Sequence, residues 1–284
     1  MNKKRAVQKR KSVIITVLII LLLTAVAFLQ IFPFWLQFVT SLQPLDFVPE
    51  DGKIYWIPVS VNFGNYLEAI EHVDLLRGAL NSVIVAVGYT LLSALVILLV
   101  GYVLGKKDFT GKKVVKLFLL ITMMAPGELM MVTNYKLVSD LGWTNSFAGL
   151  ILPGIVNVTG IFLVMSFMNS IPDAMLESAE IDGAGEITKL FRIVLPMCLP
   201  VLATYFILTF VAQWNDYLWP MIITSDPDLF TIQLKLTEFS EYYGGYADTV
   251  LRAAALIVTL VPVIIVYLCC QKQFVEGLSV TGMK

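Results

Sequence analysis

Charge is what this chain has little of. Only 14% of its 284 residues are Asp, Glu, Lys or Arg, against about 25% in an average soluble protein. Histidine is nearly missing: His72 stands alone, beside three cysteines, Cys198, Cys269 and Cys270. That inventory is too thin for a zinc site, a haem or a disulfide framework. The cysteines sit in or beside apolar stretches and read as helix-packing residues. No Gly-x-Ser-x-Gly elbow, Walker A loop, Gly-x-Gly-x-x-Gly turn or His-Glu-x-x-His pair occurs, so the common enzyme templates fail. A net charge of −1, from 20 cations and 21 anions, offers no basic field for nucleic acid. Internal repeats, heptads and low-complexity tracts are missing as well.

Apolar residues are abundant instead, at 58% with a mean hydropathy of +0.81. A hydrocarbon layer about 30 Å thick takes roughly 20 apolar residues per helix. Six stretches approach that requirement: 12–45, 79–104, 114–135, 145–168, 197–224 and 251–270. Each is expected to be helical, because backbone amides in lipid must pair within their own segment. The first is longer than one span needs and should tilt, or bend at Pro33. Its cationic start and Ala25-Val26-Ala27 imitate a signal peptide, but the apolar run continues past Ala27, so it reads as an uncleaved helix. The expected fold is therefore all-α, a polytopic membrane protein with six transmembrane helices in a single domain.

Orientation follows from Lys and Arg alone. With the N-terminus inside, 15 cations face the cytoplasm: Lys3, Lys4, Arg5, Lys9, Arg10, Lys11, Lys106, Lys107, Lys112, Lys113, Lys116, Lys189, Arg192, Lys272 and Lys284. Five face outward: Lys53, Arg77, Lys136, Lys235 and Arg252. Both termini are expected in the cytoplasm. The longest outer loop, about 43–78, holds the turn Pro49-Glu50-Asp51-Gly52 and a mixed stretch, 59–66, suited to the membrane surface.

The inner loop from Ser170 to Pro200 departs from this charge bias, with Asp173, Glu177, Glu180, Asp182 and Glu186 against Lys189 and Arg192. Ser170 three residues before Asp173 reads as a helix start, with Pro172 tolerated in the first turn. That helix should end near Gly183, and a second should run from about Gly185 to Leu195. Pro196 and Pro200 then mark re-entry into the membrane. On this pattern alone, a solvated acidic hairpin remains an equal reading.

The residues Glu177-Ser178-Ala179, Gly183 and Ile193-Val194-Leu195-Pro196 resemble the "EAA" loop of ABC importer permeases, with all spacings matched. Ser178 replaces the usual alanine and is also small. Asn81-Ser82 resembles the start of the importer core, and 214–220 (WNDYLWP) the fifth-helix ending of carbohydrate importers. The tail 273–284 resembles the end of the second permease subunit in maltose-type transporters. This resemblance implies a type I importer permease fold with a core of about 79–270, a coupling loop of about 170–196 and a cytoplasmic tail, 271–284. It implies a bacterial-type cell membrane, a first helix wrapped on a second, non-identical permease, two cytoplasmic ATP-binding subunits and an external sugar-binding protein. ATP and magnesium belong to the ATPase, and no cofactor is expected on this chain.

In such a loop Ser178 and Ala179 allow close backbone approach to the ATPase. Met175, Leu176 and Ile181 supply apolar contact, Glu177 and Asp182 pair with donors, and Gly183 permits the turn. A substrate pathway is a separate matter. An ionised carboxylate at mid-membrane costs roughly 2.5–3.5 kcal/mol, so Glu128 and Asp216 should face the bundle interior. With Asn157 and Asn215 they would border one outward cavity, where amides and carboxylates suit sugar hydroxyls. Pairing with helix ends is an equal alternative. Gly101-x-x-x-Gly105 reads equally as close packing or as helix termination, and Tyr135, Trp143, Trp214, Trp219 and Tyr267 read as interfacial belt residues.

The favoured function is a sugar or oligosaccharide importer subunit without enzymatic activity of its own. Importers of amino acids, peptides or phosphate share the EAA loop. A membrane-bound enzyme lacks its constellation here, and an ion-coupled carrier would carry buried charges and a repeat. The orientation predicts that cysteines introduced at Glu50 and Asp182 react with an impermeant maleimide from opposite sides of the membrane. Labelling of both from one side would overturn it.

Overall fold

The computed structural model describes residues 2–125, 127–239 and 245–281, and of residues 2–13, 128, 270 and 272–281 the backbone alone. Every regular element among the described residues is helical. The chain sorts into two compact units, one of residues 1–72 and 239–258 and one of residues 73–238 and 259–284.

The first unit holds α1 (Asn2–Ser41), α2 (Gly64–His72) and the start of α13 (Tyr246–Thr281). Helix α1 runs through Pro33 without a break in its assignment. Its most apolar window is wholly exposed, as suits a helix whose neighbours are lipid or another chain. The outer loop is tied down by polar side chains. Asn65 donates to the carbonyls of Ser41 and Gln43 at 2.9 and 2.8 Å, and Gln43 Oε1 accepts the Val59 amide at 3.0 Å.

The second unit is built on α3 (Leu75–Lys106), which packs on α7 (Val158–Met168) and α10 (Leu195–Trp214). Its core joins Ile97, Tyr102, Ile161, Val164, Met168, Val194, Cys198 and Tyr205. Small residues decide how close α3 and α7 come. A Cβ on Gly101 would lie 2.8 Å from Val164 Cγ1, and one on Gly105 would lie 2.7 Å from Met168 Cβ. The glycine pair is thus a packing motif, and the two helices meet backbone to backbone. At the other end of α3, Asn81 donates to the carbonyls of Asp228 and Phe230 at 2.9 and 3.0 Å. Ser82 Oγ accepts the Ile232 amide at 2.8 Å, seating α12 (Ile232–Thr237).

The six apolar stretches are realised unequally. Among the described residues four helices are long and apolar enough to cross a membrane: Ile14–Ser41, Leu75–Lys106, Glu186–Trp214 and Tyr246–Cys269. The stretch expected at 145–168 is a bent pair, α6 (Phe147–Ile151) with its 3-10 turn to Gly154 and α7, turning by 49°. The stretch expected at 114–135 is divided into α4 (Lys112–Thr122) and α5 (Gly127–Asp140). At 1.5 Å per residue these reach about 16 and 21 Å, short of the hydrocarbon thickness. The dividing sequence contains Pro126-Gly127, which removes a helical donor and adds a residue of high chain entropy.

A second correction concerns the helix expected to stop at Leu195. Instead α9 (Glu186–Lys189), a π-helical turn (Leu190–Val194) and α10 make one rod, Glu186–Trp214. Pro196 has no amide for the carbonyl four residues back. The wider π turn just before it, closed by the Leu195 amide on the Leu190 carbonyl, takes up the misfit. Trp214 is also misread as a belt residue: it is buried and stacks on Phe210 with centroids 5.9 Å apart.

The packing of α3 on α7 predicts that Gly101→Leu destabilises the protein by about 1–3 kcal/mol or more, through overpacking against Val164 and the Met165 backbone. Gly127→Ala, where a Cβ meets nothing within 4 Å, should leave thermal unfolding in detergent unchanged. Equal melting of the two variants would contradict the close approach.

Candidate functional site

Helix α8 (Asp173–Ile181) lies within the second unit between α7 and the rod. It begins at Asp173, as expected, but Ser170 is not its cap. Ser170 Oγ donates to the Phe167 carbonyl at 2.7 Å, finishing α7, and Pro172 occupies the N-cap position of α8. The end is closed by a Schellman arrangement. The Ala184 amide donates to the Ala179 carbonyl at 2.8 Å and the Gly183 amide to the Glu180 carbonyl at 2.9 Å, with Gly183 at φ +85°. That left-handed conformation is where glycine is favoured. A Cβ there meets no neighbour, so the demand is purely conformational.

The helical period divides α8 into two faces. Asp173, Leu176 and Glu180 turn toward the protein. Leu176 is buried in the core with Ile171, Leu190 and Val194, so it anchors the helix and is not available to a partner, which corrects the expectation for it. Asp173 pairs with Lys106 at 2.6 Å and Glu180 with Lys189 at 2.9 Å. The opposite face carries Met175, Glu177, Ser178 and Ile181, with Asp182 at the C-cap, all exposed; Ala179 is half-buried. Ile181 is 86% exposed, and Ile187 on α9, not singled out from the sequence, is exposed as well. Among the described residues Glu177 and Asp182 form no ion pair. Of the loop's five acids, three are thus spent internally and two face solvent. Ile187 was missed because a single apolar residue among polar ones carries no periodic signal.

The residues expected along a substrate pathway all lie at helix ends. Asn157 caps α7, its Oδ1 accepting the Gly160 amide at 2.7 Å. Asn215 closes α10, its Nδ2 donating to the Val211 carbonyl at 2.9 Å. Asp216, expected inside the fifth span, falls beyond Trp214 in the break before α11 (Leu218–Ile223), with Oδ1 3.4 Å from the Trp219 amide. The side chain of Glu128 lies outside the described residues. Nearby hydroxyls that the sequence did not single out also pair inside the unit: Tyr89 with the Gly154 carbonyl and Ser93 with Tyr205, each at 2.5 Å. Among the described residues no three His, Cys, Asp or Glu side chains gather as metal ligands would.

Residues 97–280 match the family described as binding-protein-dependent transport system inner membrane component. The chain belongs to that family. It is 31% identical to the arabinooligosaccharides transport system permease protein AraQ of Bacillus subtilis, over 90% of this chain and 91% of the relative. It is 32% identical to the melibiose/raffinose/stachyose import permease protein MelC of the same organism, over 94% and 96%. It is also 31% identical to the sn-glycerol-3-phosphate transport system permease protein UgpE of Yersinia pestis, over 88% and 91%. Its fold is that of a bacterial ABC transporter involved in alginate import, at a TM-score of 0.83 and 24% identity, covering 92% of this chain and 96% of the other. The chain is accordingly an inner-membrane transport permease.

Placing a Cβ at Gly183 should cost about 1–2 kcal/mol, which raises amide exchange at Ala184 roughly ten-fold in Gly183→Val. Unchanged exchange would show that the left-handed turn does not hold the end of α8.

Proposed function

We propose that this permease is one of two non-identical membrane subunits of an importer that moves a sugar or oligosaccharide inward, driven by two cytoplasmic ATPase subunits and supplied by an external binding protein. In this reading the whole chain works as one permease domain with both termini in the cytoplasm. ATP and magnesium are bound on the ATPase and not on this chain. The observation that carries the reading is the solvent face of α8. Met175, Glu177, Ser178, Ile181 and Asp182 stand free on a helix whose other face is locked into the core by Leu176, Asp173 and Glu180. Such a helix can enter a groove on another protein without unfolding: Ile181 supplies area, the two free acids supply direction, and Ser178 and Ala179 let the partner approach.

The sugar assignment rests on the arabinooligosaccharide and melibiose/raffinose/stachyose relatives, with the WNDYLWP segment and the tail in support. The glycerol-3-phosphate relative marks the competing solute class. In that scheme Glu128, Asn157, Asn215 and Asp216 line the solute pathway, and the side chains of the last three are described. Each of these three keeps one atom on a helix end and leaves other lone pairs or donors for a solute.

Affinity purification of the tagged chain from its own membranes should recover an ATP-binding subunit and a second permease. The double variant Glu177→Lys, Asp182→Lys should lower ATPase recovery about ten-fold through reversed charge, with the second permease retained. Undiminished ATPase recovery would remove α8 from the docking surface. A gene deletion that abolishes growth on glycerol-3-phosphate, with every oligosaccharide still used, would overturn the sugar assignment.

A further inference from the structure

Lys189 is the buried residue of α9, 2% exposed, in a turn whose other members face solvent. Its Nζ lies 2.9 Å from Glu180 Oε2 and 2.6 Å from Glu186 Oε1. Glu180 lies in the last turn of α8 and Glu186 begins the rod, so the ammonium bridges the two sides of the break at 182–185. The clamp continues onto α3. Lys107 Nζ is 2.7 Å from Glu186 Oε1, and the Tyr102 hydroxyl donates to Glu186 Oε2 at 2.9 Å. Lys106 holds the start of α8 through Asp173 at 2.6 Å and the Ile171 carbonyl at 2.5 Å.

We propose that Lys189 is a positioning residue of the coupling step, a brace that makes α8 and the rod Glu186–Trp214 move as one body. The inference rests on the reading of α8 as the ATPase-facing helix. Asp182, Gly183, Ala184 and Gly185 join α8 to the rod, and the two glycines leave the widest range of backbone conformations. Without a brace, a push delivered to α8 is absorbed at that joint. With Glu180 and Glu186 both held on one buried cation, the joint cannot open without pulling a carboxylate off that ammonium. Stability does not account for the choice of lysine. An apolar side chain of similar length would fill the same space without the cost of desolvating an ammonium. What a cation adds is a simultaneous bond to both sides of the break.

The complex recovered through the tagged chain provides the test. In a background with Cys198, Cys269 and Cys270 replaced by serine, Tyr217→Cys places a thiol beyond Trp214, at the far end of the rod. Its maleimide labelling rate is compared with and without vanadate-trapped nucleotide. Lys189→Met should fold, because Glu180 and Glu186 are 70% and 53% exposed and remain hydrated when the cation is gone. The expected result is wild-type ATPase recovery and hydrolysis, with the nucleotide-dependent change in labelling reduced about five-fold. Glu180→Gln, which cuts only the α8 arm, should reproduce that loss, and the double variant should be no worse than either single one. A full labelling response in Lys189→Met with ATPase bound overturns the brace and leaves the docking reading intact. Parallel loss of ATPase recovery and labelling overturns it in favour of a purely structural lysine. Failure of the unchanged chain to recover any ATPase overturns the docking reading, and the brace with it.

Discussion

Apolar side chains gain nothing by leaving lipid for a neighbouring helix, so membrane helices associate where their backbones can come close. In the second unit that place is the contact of Gly101 and Gly105 with Val164 and Met168. The spacing of α3 from α7 is set there, and much else follows from it. The last turn of α3 presents Tyr102, Lys106 and Lys107 to the loop that follows α7. That loop is then held by ion pairs and by Leu176 in the core. A side chain at either glycine would push α7 away and carry the start of α8 with it.

The polar residues in this apolar chain are mostly employed in ending helices. A helix terminus leaves amides or carbonyls without intrahelical partners, and in an apolar environment those groups are costly unless satisfied. Asn157 meets that need at the bend before α7 and Asn215 at the end of α10, while Asp216 lies near the Trp219 amide beyond it. The breaks they permit divide spans that would otherwise be straight.

The loop from Ser170 to Pro200 combines rigidity with freedom in a similar way. Its inner face is committed to the core and to α3, and its outer face bears two acids with no ion-pair partner among the described residues. Charge counting along the loop cannot separate these classes, since all five acids look alike in sequence. The helical period sorts them only once one face is known to be buried, and the burial of Leu176 supplies that knowledge.

Composition and hydropathy alone determined that the chain is helical and membrane-bound, because unpaired backbone in hydrocarbon admits no other local structure for such apolar runs. The spacing from Glu177 through Gly183 to Pro196 was likewise legible, since a left-handed turn needs glycine and marks itself. The division of the third stretch, between Thr122 and Gly127, was hidden by its continuous apolar run. The opposite error occurred at Pro196, where proline signalled a break that a π turn absorbed. The partners of Lys189, the burial of Leu176 and Trp214, and the choice between packing and termination at Gly101 and Gly105 were decided by tertiary structure alone. Each depends on atoms brought from another helix, and a linear pattern records only what a residue's own neighbours along the chain require.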